Sequence, residues 1–148
     1  MNFQRKGAPS NTHAGKYFEA RAKEFLETQG IILQPNFALE IGINETRKKH
    51  NFDFGDREKK IIVECKSHTW TESGNTPSAK ITTWNQAMYF FLAASSDYRK
   101  ILFVLRDVNK KTGETLGEYY LRTNAHLIPD GVEIWEFNDK SNTATKIK

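Results

Sequence analysis

Two carboxylates and an ammonium group stand at a spacing that could form one reactive centre. Asp53 is followed, after ten residues, by Glu64-Cys65-Lys66 at the end of the apolar run Ile61-Ile62-Val63. Side chains alternate faces along a strand, so Ile61, Val63 and Cys65 point one way while Ile62, Glu64 and Lys66 point the other. A turn over Gly55-Asp56-Arg57-Glu58 would make this stretch a β-hairpin and bring Asp53 toward the end of the Glu64 strand. Close carboxylates repel each other, and such a pair suits a hard divalent cation with oxygen ligands, Mg²⁺ first and Mn²⁺ in its place. In phosphodiester hydrolysis the cation polarises a phosphoryl oxygen and lowers the pKa of a bound water, while Lys66 orients that water or offsets charge building on phosphorus. The plainer alternative is that Glu64 and Lys66 line the wet face of an ordinary strand.

Elements on either side must hold these residues. Ser10 or Thr12 can cap a first helix whose apolar positions Phe18, Ala22, Phe25 and Leu26 follow the helical period, and Gly30 ends it. The pattern then turns strand-like but is interrupted by Pro35, which predicts a strand over residues 37–43. A polar loop over residues 69–78 leads into a second helix with Ile81, Trp84, Ala87, Met88, Phe91 and Leu92 on its apolar side. Further strands are expected at residues 101–105, 116–121 and 132–137, with a frayed tail over 138–148. Helix, three strands, helix and two or three strands make an α/β fold, a central mixed β-sheet flanked by helices. Its 148 residues suit a single domain, with residues 1–10 and 138–148 as its flexible ends.

The Asp53…Glu64-Cys65-Lys66 arrangement resembles the PD-(D/E)XK (restriction-endonuclease-like) nuclease superfamily. In the first helix Gly15, Glu19, Leu26 and Gly30 look like the N-terminal helix that supplies an extra acidic residue in Holliday-junction resolvases and their relatives. In the second, Gln86-Ala87-Met88-Tyr89 is similar to the glutamine-bearing helix after the E-x-K strand. The resemblance spans roughly residues 15–105, with Phe52 where the family often has proline and Asp56 as a rival to Asp53. Asp56 also has a local explanation, because aspartate in a turn bonds to nearby backbone. The resemblance implies a restriction-endonuclease-like core and an Mg²⁺-dependent endonuclease that hydrolyses phosphodiester bonds in DNA. It implies Asp53, Glu64, Lys66, Glu19 and Gln86 as the catalytic set, with Asp53, Glu64, Cys65 and Glu19 about the metal. Glu19 could equally be a solvated residue paired with Lys16 or Lys23.

Composition agrees with a polyanionic partner without requiring one: the net charge is +4 and the pI about 9.1. Lys48, Lys49, His50 and Lys80 could meet a phosphate backbone, and Trp70 could stack on an unpaired base or anchor its own loop. A lone cysteine excludes both an intrachain disulfide and a cysteine-built zinc site, and His13, His50, His68 and His126 lack zinc-motif spacing. No run suits a signal peptide or a membrane span, so a cytoplasmic location is expected. A homodimer is expected too, because a double-strand break needs two cuts related by a two-fold axis. The rival function class is a catalytically inactive nucleic-acid-binding or protein-interaction module on the same fold.

Overall fold

The computed structural model describes residues 11–148. Its first helix, α1 (Asn11–Thr28), ends where Gly30 adopts φ 77°. There the Gly30 N–H donates to Glu27 O at 3.0 Å and the Ile31 N–H to Leu26 O at 2.9 Å, a Schellman closure that glycine permits. The expected cap Ser10 and the expected flexible segment 1–10 lie outside the described residues.

Six strands follow in one sheet: β1 (Gln34–Ile41), β2 (Lys48–Asp56), β3 (Ile61–Lys66), β4 (Arg99–Leu105), β5 (Glu133–Asn138) and β6 (Thr143–Lys146). Their order across the sheet is their order in the chain. The pairs β1–β2, β2–β3 and β5–β6 are antiparallel, whereas β3–β4 and β4–β5 are parallel. Parallel neighbours need crossovers, supplied by α2 (Ser78–Ala93) and α3 (Leu116–Asn124), the latter followed by a 3₁₀ turn at Ala125–Leu127.

Alternation along the central strands sorts two cores. Val63, Ile101, Phe103 and Phe137 pack with Phe18, Ala22, Phe25 and Leu26 of α1. Ile62, Leu102, Val104 and Ile134 pack on the other face with Trp84, Met88 and Phe91 of α2 and with Leu116 and Tyr120 of α3. The architecture is therefore α/β, an open six-stranded mixed sheet between one helix and two. Among the described residues no helix is long and apolar enough to cross a membrane.

Five sequence expectations are corrected. Residues 116–121 form the start of α3, not a strand, because Thr115 and Glu118 make a reciprocal capping box: Glu118 N–H to Thr115 Oγ1 at 3.0 Å and Thr115 N–H to Glu118 Oε1 at 2.9 Å. The tail is not frayed from residue 138 on; β6 pairs with β5 from Trp135↔Lys146 to Asn138↔Thr143. Strand β1 begins at Gln34 and accommodates Pro35 because it is an edge strand, and the β2–β3 turn falls after Asp56. Leu92 is 60% exposed, off the buried stripe of α2.

Gly55 is buried, and a Cβ placed there would lie 2.3 Å from Phe37 Cδ2 and 2.9 Å from its Cβ. A contact reaching the root of the side chain cannot be relieved by rotating the ring alone. Gly55→Ala is expected to lower unfolding free energy by about 1–3 kcal/mol, read as a lower urea midpoint with an unchanged slope; an unchanged midpoint would show that β1 yields freely.

Candidate active site

Asp53 and Glu64 meet where β2 and β3 part. Their ladder runs from Asp56↔Ile61 to Phe54↔Val63 and stops. One residue further, two side chains take over the hydrogen bonding: the Asp53 N–H donates to Glu64 Oε2 at 3.1 Å, and the Cys65 N–H donates to Asp53 Oδ2 at 2.7 Å. Each carboxylate thus satisfies a main-chain donor of the opposite strand. Local sequence favours this opening. Phe52 stacks on Phe91 of α2 with centroids 6.0 Å apart, yet Phe54, two residues on, belongs to the α1-side core. The strict alternation of β2 is therefore broken at Asp53. Asn36, between the paired residues Pro35 and Phe37 of β1, bends likewise with φ 51°.

Burial sets the electrostatics of the pair. Glu64 is only 7% exposed. Desolvation, followed by the charge of Glu64, pushes the Asp53 carboxyl from 3.8 up to about 7, against the pull of the Cys65 amide and of Lys66. Glu19 of α1 is half-buried, 3.8 Å from Lys16, and within the field of Glu64; burial is the main cause of its raised pKa. Glu19 therefore does pair with Lys16, as its surface reading expects, while lying close enough to be felt by both carboxylates. Lys66 makes no salt bridge among the described residues, and its charge is felt by Asp53 and by His68.

The other expected residues are placed unevenly. Cys65 enters through its amide, and burial, followed by the surrounding carboxylates, raises its thiol well above the ordinary value. Gln86 is exposed on α2 and makes no hydrogen bond to the carboxylates. Lys48 and Lys49 are exposed on β2. His50, on the same strand, stacks on Phe90 at 3.9 Å between centroids and turns a buried Nε2 toward Glu64 Oε1, 3.9 Å away. Trp70 is not free to stack on a base: it is buried, its N–H donates to Asp107 Oδ2 at 2.8 Å and its indole to Asp107 O at 3.1 Å. Lys80 lines a cleft with His68, whose Nδ1 accepts from Trp84 Nε1 at 3.0 Å. No local spacing announces that pairing, since its partners are 16 residues apart.

Among the described residues no three His, Cys, Asp or Glu side chains gather closely enough to hold a metal by themselves. Two carboxylates nevertheless fit Mg²⁺, which retains several waters and is held through one or two carboxylates plus substrate phosphate oxygens.

The proton that folded Asp53 holds near pH 7 is already released by the unfolded chain above about 3.8. Its contribution to stability is full below that value and declines as pH rises through 7. Asp53→Asn keeps an oxygen for the Cys65 amide and removes the charge. In EDTA the variant is expected to be more stable than the wild-type chain by up to about 4 kcal/mol at pH 8, with the difference vanishing near pH 4. Melting curves across this range check it, and equal pH dependence in both proteins would contradict the burial argument.

Comparison of the chain with protein-family models, with curated proteins and with solved structures finds no match.

Proposed function

We propose that the protein is a metal-dependent endonuclease that hydrolyses phosphodiester bonds in DNA, built on a restriction-endonuclease-like core. The observation that carries this reading is the buried Asp53–Glu64 pair, held by reciprocal main-chain bonds with Lys66, which makes no salt bridge among the described residues, two residues along β3. Holding two carboxylates together away from water is costly, and a bound divalent cation removes the cost. Asp53 and Glu64 would hold Mg²⁺ or Mn²⁺, which supplies a polarised phosphoryl oxygen and a water of lowered pKa.

The chain's own groups do the rest. The two main-chain bonds fix the carboxylate oxygens before substrate arrives, so little reorganisation accompanies the reaction. Lys66 offsets negative charge that builds on the phosphoryl oxygens as the water oxygen joins phosphorus and one P–O ester bond breaks. Glu19 stands to the α1 side as a third acidic group in the same field. Exposed Lys48 and Lys49 and the net charge of +4 favour a polyanion, and a two-fold pair of subunits would bring one centre to each strand of a duplex.

The purified chain is expected to nick and linearise plasmid DNA with Mg²⁺ or Mn²⁺, to bind without turnover in Ca²⁺, and to be silent in excess EDTA. Lys66→Ala should retain DNA affinity and lose about 100- to 1000-fold in single-turnover rate. Replacing Lys48 and Lys49 together should weaken binding and flatten its salt dependence by about one unit of slope per lost phosphate contact. Full cleavage in EDTA would overturn the metal reading. Absence of cleavage beside intact DNA binding would favour the inactive-module reading.

A further inference from the structure

A cleft of about 270 Å³ opens between the loop after β3 and the start of α2, lined by His68, Thr69, Thr71, Pro77, Ser78 and Lys80 among others. No carboxylate lines it. Its chemistry is set from below by Trp84, which is fully buried in the α2 core and whose indole N–H donates to His68 Nδ1 at 3.0 Å. An indole nitrogen can only donate, so Nδ1 must be the accepting nitrogen and the ring proton must sit on Nε2. The imidazole thus presents a fixed N–H donor, and no side chain or main-chain oxygen among the described residues accepts it. Burial, reinforced by Lys66 and Lys80, drops the His68 pKa to about 4, so the ring is neutral at physiological pH. Lys80 makes no salt bridge among the described residues. The charge of Lys66 acts on both Asp53 and His68, which ties the cleft electrostatically to the carboxylate pair.

We propose that this cleft is a phosphate subsite, in which His68 Nε2–H and the Lys80 ammonium hold a backbone phosphodiester of the substrate strand beside the one that is cut. A neutral donor with one cation, hydroxyls at its rim and no competing carboxylate suits a singly charged diester. The placement rests on the nuclease reading for what is cut, but binding at the cleft requires neither metal nor turnover.

The test is therefore binding of a fluorescein-labelled DNA duplex in EDTA, followed by anisotropy at several salt concentrations. His68→Ala is expected to weaken affinity about 3- to 10-fold with an unchanged salt slope, because a neutral donor displaces no counterion. Lys80→Ala is expected to weaken affinity and to lower the slope by about one unit. His68→Gln, which can offer an acceptor to Trp84 and a donor to the cleft, is expected to bind nearly as well as wild type, and Lys80→Ala leaves the core untouched should His68→Ala fail to fold. In ¹⁵N-histidine-labelled protein, DNA is expected to move the His68 Nε2 resonance. Wild-type affinity in both the His68→Ala and Lys80→Ala proteins would overturn the subsite even if Mg²⁺-dependent cleavage is observed. A resonance moved by inorganic phosphate alone, with DNA affinity unaltered in both variants, would make the cleft a free-anion site and overturn the backbone assignment. Weakened binding in both variants without any cleavage would leave the subsite standing and remove the nuclease.

Discussion

The exchange of two hydrogen bonds across β2 and β3 is the constraint on which the rest of the site depends. Where the ladder ends, the amides of Asp53 and Cys65 would otherwise be left in a poorly hydrated seam, and each is taken up by a carboxylate from the opposite strand. This arrangement forces two like charges together in a place where neither is well solvated. Structure and electrostatic tension therefore share one origin. The bonds that complete the sheet also raise the demand for positive charge, which Lys66 meets in part.

The two cores hold this seam from opposite sides. Phe52 is fixed against Phe91 of α2, while Phe54 belongs with the aromatic cluster around Phe18, Phe25 and Phe103 on the α1 side. The backbone between them has little freedom, so Asp53 is set by packing as much as by its own bonds. A second tie works the same way one loop further on, where Asp107 receives both N–H groups of Trp70 and binds the segment after β3 to the segment after β4. Apolar burial thereby shapes the polar rim at the ends of the parallel strands.

Much of this was legible in the chain. The alternation Ile61 to Lys66, the helical stripe from Ile81 to Phe91 and the glycine stop at Gly30 depend on local periodicity, and each element lies where that periodicity puts it. A β2–β3 hairpin brings Asp53 toward Glu64, but their facing depends on a turn after Asp56; the expected turn over residues 55–58 would have set Asp53 opposite Lys60. What misled was apolar content without regard to caps: Leu116 to Leu121 has strand-like composition, but T-x-x-E at Thr115 and Glu118 is a helix start and outweighs it. The ordering of the tail could not be read locally, since β6 owes its existence to the open edge of β5. The anchoring of Trp70 in its own loop was one of its two readings and is what the structure has, but its partner Asp107, like the Trp84 partner of His68, is brought close only by the crossovers.

Because each strand neighbours the next one in the chain, the sheet can be assembled by addition from one edge to the other, without any strand having to insert between two already paired. Hairpins β1–β2, β2–β3 and β5–β6 close short loops, and only the two helical crossovers demand longer ones. Asp53, Glu64 and Cys65 all fall within one such hairpin, so their mutual register rests on contacts close in sequence. The repulsion of the two carboxylates is strongest where burial removes water from the seam, so the electrostatic cost belongs to the packed sheet rather than to the hairpin alone.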